Sequence, residues 1–114
     1  MIDIVIVNYK STDYLLKCLK SVYDSIRDIH VRVFVYDNDS KNGVDRITIA
    51  FPEINLTKND SNVGFSRGVN KCIKQGTAPY VLMLNPDTII KDGFFESILQ
   101  YIENNSDIGI VGPK

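Results

Sequence analysis

The sequence is short of the residues from which many active sites are built. Its single histidine, His30, stands just before a strand-like run, so neither a His-based triad nor a histidine zinc site can be assembled. The two cysteines, Cys18 and Cys72, lie far apart on helix-like patterns with no CxxC or Cys/His cluster. Both read as buried small hydrophobes rather than metal or redox groups. Excess positive charge is missing too: 13 Lys and Arg against 14 Asp and Glu leave a formal net charge of -1. That excludes the basicity needed to bind a phosphate backbone, and no nucleic-acid partner is expected. No apolar run approaches the roughly 18 residues of a membrane span, and Met1 leads into a strand-like run without a basic segment or cleavage site. A soluble, cytoplasmic chain is the expectation. Neither GxGxxG after the first strand nor GxxxxGK[ST] occurs, so a nucleotide would have to be held without the dinucleotide fingerprint or the P-loop.

What is present suits one soluble domain with a single core: 114 residues, 44% hydrophobic and 24% charged. Asp3 to Asn8 is a nearly continuous β-branched run, too apolar for a one-sided sheet and suited to a strand covered on both faces. Ser11, Thr12 and Asp13 offer capping oxygens to a helix on which Leu15, Leu19, Val22 and Ile26 recur at helical spacing. A second strand is predicted over Val31 to Tyr36, ending in a polar loop from Asp37 to Gly43. A weaker helix runs to about Phe51 before Pro52, and Ile54 to Thr57 makes a short third strand. A helix from about Gly64 to Gly76 is predicted to bury Phe65, Val69, Cys72 and Ile73. Tyr80 to Leu84 is the fourth strand. Asp92 is placed to cap a helix carrying Phe95, Ile98, Leu99 and Ile102, and Ile108 to Val111 reads as a last short strand.

Strands alternating with helices predict an open α/β sheet with right-handed crossovers, whose ligands bind beyond the carboxyl ends of the strands. Those ends carry Asn8 and Tyr9, Asp37 to Ser40, and Asn85 to Asp87. An aromatic with an amide, a pair of acids and a further acid therefore converge on one edge.

Four blocks occur in order: Val5-Ile6-Val7-Asn8-Tyr9, Asp37-Asn38-Asp39-Ser40, Asn62-Val63-Gly64-Phe65-Ser66-Arg67-Gly68-Val69-Asn70 and Leu84-Asn85-Pro86-Asp87. With Gly109-Ile110-Val111-Gly112-Pro113-Lys114 they span the chain, and together they resemble the family 2 glycosyltransferases of GT-A fold, especially the rhamnosyltransferase-like subgroup. The resemblance implies an open, mainly parallel, Rossmann-like sheet with helices on both faces. It also implies that residues 1–114 are the nucleotide-sugar-binding part of the domain, without its acceptor-binding half. By the same resemblance Val7, Asn8 and Tyr9 border the base and ribose of the donor, where a π-face with a polar edge is useful. Asp37 is the acceptor for base or ribose donors, Asp39 lies beside it or caps the loop, and Gly64 borders the donor pocket. The Asn62 to Asn70 block reads as mainly structural, its glycines permitting close approach, and Arg67 as a solvated helix residue.

Asn85-Pro86-Asp87 corresponds to the family's Asp-X-Asp motif with Asn in place of the first acid. Asp87 is thereby implied as the ligand of Mg²⁺ or Mn²⁺, an ion that accepts one or two carboxylates plus phosphate oxygens and stabilises charge developing on a leaving diphosphate. Asn85 assists through a carbonyl or a water. The implied activity is inverting transfer from a UDP- or dTDP-sugar to a glycan or lipid-linked acceptor, with membrane association of the full-length protein. Inversion needs a general base. In the family this is a carboxylate from the second half of the domain, expected beyond Lys114, and Asp92, Glu96, Glu103 and Asp107 match no base position. The expectation is thus a chain that binds donor but does not turn over, and that self-associates through an exposed sheet edge. A non-catalytic nucleotide or nucleotide-sugar binding module is the alternative. A signalling receiver domain is disfavoured because the first strand ends in Asn8-Tyr9 rather than acids and no strand-end lysine stands near the last strand.

Overall fold

All seven residues of β1 (Ile2–Asn8) are buried, as a strand covered on both faces requires. In the computed structural model, which describes residues 1–38, 43–59, 61 and 64–112, β1 is an inner strand of a four-stranded sheet in the order β3-β2-β1-β4. Its companions are β2 (Val31–Asn38), β3 (Asn55–Asn59) and β4 (Tyr80–Leu84), and every neighbouring pair is parallel. The connections carry α1 (Thr12–Ser25), α2 (Asp45–Ala50) and α3 (Phe65–Gln75), and α4 (Phe94–Glu103) follows the last strand.

Successive residues of a strand face opposite ways, so β1 feeds two cores. Ile2, Ile4 and Ile6 join Leu15, Leu19 and Val22 of α1, Ile47 of α2 and Phe95 of α4 on one face. Val5 and Val7, with Phe34 and Tyr36 of β2, meet Val69 and Cys72 of α3 on the other. The α/β architecture with helices on both faces is the one the alternating pattern predicts. The second core is thinner because α3 lies very close to the sheet. A Cβ on Gly68 would stand 2.9 Å from Tyr36 Cδ1 and 3.0 Å from Val7 Cγ2. So close a helix buries only a narrow strip. Phe65 and Ile73, expected inside, are instead 50% and 37% exposed.

Four further expectations are corrected. Asp37 and Asn38 are not loop residues; they extend β2 in register with Lys58 and Asn59 of β3. The capping oxygens at the start of α1 make no cap bond; the Ser11 hydroxyl donates to the Tyr9 carbonyl at 3.2 Å instead. Asp92 does not cap α4, which begins at Gly93 in a left-handed conformation, and its carboxylate meets Arg27 at 3.4 Å. Residues 108–111 are not a strand, and Ile110 is 95% exposed. A strand needs a partner for its ladder, and this segment pairs with no strand among the described residues, although it lines the same groove as β4.

At the amino edge of the sheet an acid is buried that the apolar reading of β1 passes over. Asp3, 2% exposed, accepts hydrogen bonds from Arg32 Nε at 3.0 Å, Arg32 Nη2 at 3.4 Å and the Ala78 amide at 2.9 Å. Arg32 stands directly opposite Asp3 in the β1–β2 ladder.

Candidate functional site

Because all four strands are parallel, their carboxyl ends lie on one edge, and the spatial order places β1 between β2 and β4. The ends of β2, β1 and β4 thus bring Asp37, Asn8 and the Asn85–Asp87 turn side by side. Asn8 is fully buried, and its side-chain amide donates to Asp37 Oδ1 at 3.0 Å and to Thr12 Oγ1 at 3.3 Å. The amide therefore ties two strand ends to the first turn of α1 and orients the Asp37 carboxylate, itself only 3% exposed. Thr12 was not singled out from sequence as part of this network. The signal was there, since a hydroxyl four residues after a strand-end amide reaches it once the chain turns into a helix.

Val7 turns its side chain under α3, where Gly68 approaches it. Tyr9, just past the end of β1, is 43% exposed. Lys10, with φ 54°, is the one non-glycine residue at positive φ among the described residues. This left-handed conformation is uncommon outside glycine, and it holds the Lys10 ammonium 5.1 Å from the centre of the Tyr9 ring. Gly64, at φ 87°, begins α3, and its carbonyl accepts from Asn38 Nδ2 at 3.2 Å and from the Gly68 amide at 3.3 Å. The start of α3 is thereby tied to the end of β2. Asp39, Ser40, Asn62 and Val63 lie outside the described residues.

The Asn85–Asp87 turn is closed by Thr88, whose amide and hydroxyl both donate to the Asn85 carbonyl, at 3.2 and 2.8 Å. Asn85 and Asp87 are exposed, and Pro86 is half-buried between them. Cys18 of α1 packs beneath, its sulfur 4.0 Å from the Asn85 carbonyl oxygen and 3.6 Å from Thr88 Oγ1. Burial pushes the Cys18 thiol pKa up, the Thr88 hydrogen bond offsets part of that, and the Asp87 charge adds to the rise.

The edge brings groups of both signs together, the carboxylates of Asp37 and Asp87 with the positive groups beside them. In parallel βα units the helices begin at the carboxyl edge, so the amino ends of α1 and α3 turn their positive dipole ends towards it. Lys10 adds a full charge. A cation by itself is less well provided for: no group of three or more His, Cys, Asp or Glu side chains is clustered among the described residues. One exposed carboxylate with a neighbouring amide fits a hard divalent ion that takes its remaining ligands from phosphate oxygens and water, and does not fit a closed protein cage. The groove between β4 and α4 is a different kind of surface, lined by Val81, Met83, Ile98, Ile102 and Ile110 without a carboxylate or cation.

Residues 3–113 match the Glycosyl transferase family 2 profile. An uncharacterised glycosyltransferase of Methanocaldococcus jannaschii is 23% identical over 97% of this chain, which spans 40% of that protein. The fold also recurs in crystal structures. TarS of S. aureus superposes with a TM-score of 0.81 at 18% identity over 99% of this chain and 38% of its own. It has also been solved in complex with UDP-GlcNAc. A Pyrobaculum calidifontis mannosyltransferase, in complex with GDP-Man and Mn²⁺, superposes at 0.76 with 16% identity, over 97% of this chain and 33% of its own. The chain thus spans about two fifths of these proteins or less, and with nearly all of its length matched to the profile it belongs to glycosyltransferase family 2.

Proposed function

We propose that residues 1–114 are the nucleotide-sugar-binding part of a transferase that moves a sugar from a nucleoside diphosphate to a glycan or lipid-linked acceptor with inversion. The observation that carries this reading is the convergence of Asp37, the Tyr9 ring and the Asn85–Asp87 turn on one sheet edge. The nucleotide sugars in complex with TarS and the mannosyltransferase support it.

On this reading Asp37 accepts hydrogen bonds from the base or ribose, held in place by Asn8. Tyr9 offers its exposed face to the base, and its hydroxyl gives the polar edge that such a contact uses. Lys10 and the amino ends of α1 and α3 draw the diphosphate to the edge, and Gly64 leaves its approach open. Asp87, assisted by Asn85, would hold Mg²⁺ or Mn²⁺, which when bound supplies positive charge against the leaving diphosphate. The general base that takes the acceptor proton is proposed to come from the remainder of the protein. Asp92 is a poor candidate, since it lies against Arg27 beyond the end of α1, at the opposite edge of the sheet. The resemblance of the Asn-Pro-Asp motif favours dTDP-rhamnose or a UDP-sugar as the donor.

The test is calorimetric titration with UDP and dTDP, each with and without Mn²⁺, on the wild type, Asp37→Ala and Asp87→Ala. Asp87→Ala is expected to lose only the metal-dependent part of the affinity, and Asp37→Ala to weaken binding with and without metal. Equal binding by all three proteins would remove both residues from the site.

A further inference from the structure

We propose that Ser21 and Ser25 of α1 are positioning residues for Asp87. This inference rests on the reading of Asp87 given above and deepens it. The segment between β4 and α4, residues 85–93, has no helix or strand of its own, yet it carries Asp87, the acid just past the end of β4. Its backbone groups must find partners outside a ladder.

They find them on one face of α1. Residues 18, 21 and 25 share that face, being three and four apart. The Ser21 hydroxyl accepts from the Ile90 amide at 2.9 Å while donating to the Cys18 carbonyl at 2.6 Å. The Ser25 hydroxyl, 4% exposed, donates to the Ile90 carbonyl at 3.3 Å. Both backbone groups of Ile90 are thus taken by two serines, and its side chain sits in the first core at 9% exposure. Further along, Arg27 meets Asp92 at 3.4 Å. Three attachments along α1, at Cys18, Ser21 and Ser25, and a fourth just beyond it at Arg27 pin the segment.

Serine is a poor choice for a helix interior such as position 21, where its hydroxyl competes for the backbone, and Ser25 is the last residue of α1. Alanine would suit α1 better. What the two serines supply is a substitute for the missing ladder, placed three residues after Asp87. With the Asn85–Thr88 turn closed on the near side, the carboxylate rides on a short stretch fixed at both ends. Fixing a charged group before the ligand arrives lowers the ordering cost at binding, which is the physical content of preorganisation.

The consequence is separable from general stability. Asn8 and Asp37 belong to β1 and β2, and Tyr9 directly follows β1; none of them touches the serine clamp, so losing it should affect the metal-dependent part of nucleotide affinity and spare the metal-free part. The experiment compares the wild type, Ser21→Ala, the Ser21→Ala/Ser25→Ala double variant and Ser21→Thr, which keeps a hydroxyl. Two quantities are read: amide exchange at Thr88 and Ile90 in metal-free protein by NMR, and the factor by which Mn²⁺ tightens UDP binding by calorimetry. Loss of a hydrogen bond is expected to speed Ile90 exchange about tenfold and to cut the manganese factor about three- to tenfold in the double variant. Metal-free UDP affinity should stay within about twofold, and Ser21→Thr should recover most of both effects. Wild-type exchange and an unchanged manganese factor in the double variant would overturn the proposal. So would an equal loss of metal-free affinity, which would make the serines merely structural. A wild type with no manganese factor at all would overturn the assignment of Asp87 and this role with it, and is told apart because the parent protein itself fails.

Discussion

Replacing Gly76 by alanine tests the account of the amino edge most directly. Gly76 ends α3 at φ −93° and ψ 160°, a conformation open to any residue, so the backbone does not demand glycine. Space does. An added Cβ would fall 2.1 Å from Asp3 Oδ2 and 2.8 Å from its Cγ. The carboxylate cannot move aside without leaving Arg32 and the Ala78 amide, and at 2% exposure it has no water to replace them. Overpacking costs about 1–3 kcal/mol, and weakening hydrogen bonds to a buried charge costs about 1.5–3 kcal/mol. The smaller entropy of an unfolded chain with alanine offsets about 0.4–1 kcal/mol. The net loss is about 2–5 kcal/mol, a large part of the roughly 5–15 kcal/mol that holds such a domain folded. The melting temperature should fall by about 8–20 °C. Urea unfolding of the wild type, Gly76→Ala, Asp3→Ala and the double variant closes a thermodynamic cycle. With Asp3 shortened to its Cβ, which lies 3.4 Å from the added methyl, the Gly76→Ala substitution should cost less than about 1 kcal/mol. An equal cost in both backgrounds, or a Gly76→Ala protein as stable as the parent, would refute the argument.

Three further outcomes are expected. Cys18 and Cys72 are 0% and 1% exposed, and burial pushes the Cys72 thiol up to about 11; neither should be alkylated at pH 8 until urea unfolds the chain, and rapid labelling of the native protein would contradict their burial. Tyr23 stacks on Phe51 with ring centres 5.4 Å apart, and burial first, then the charge of Glu53 and a hydrogen bond with it, raise its pKa from 10.0 to about 12. Between these values the unfolded chain ionises at Tyr23 and the fold does not, so stability present below pH 10 should be lost as the pH rises through 12; Tyr23→Phe should show a shallower fall, and identical profiles would sink the assignment. The outer edge of β4, flanked by Val81 and Met83 at 44% and 57% exposure, is expected to drive self-association of the 114-residue chain. Sedimentation should show a concentration-dependent mass that Met83→Lys lowers, and a monomer at every concentration would exclude this edge.

The order and type of the elements were legible because they follow from local periodicity. The β-branched run of β1 announces burial on both faces, and Leu15, Leu19 and Val22 recur on α1 at the spacing that places them together in the core. The convergence at the carboxyl edge was legible as well, since a parallel sheet puts every strand end on the same side whatever the side chains do. What the residues make once they arrive was not. Asn8 and Asp37 are 29 positions apart, as are Asp3 and Arg32, and their pairing exists only because β1 and β2 align in register. The burial of α3 turned on how closely Gly68 lets the helix approach, which exposed Phe65 and Ile73 against their helical pattern. The expected strand at residues 108–111 does not pair with the open edge of β4, and pairing between segments is a condition no local pattern can carry. The sequence by itself determined the order and type of the elements from β1 to α4 and which chemistry stands at their ends, because those depend mostly on neighbours within a few residues. Only the tertiary structure decided which polar groups meet, which apolar faces stay open and how the Asp87 turn is held against α1, because those depend on register and approach between segments distant in the chain.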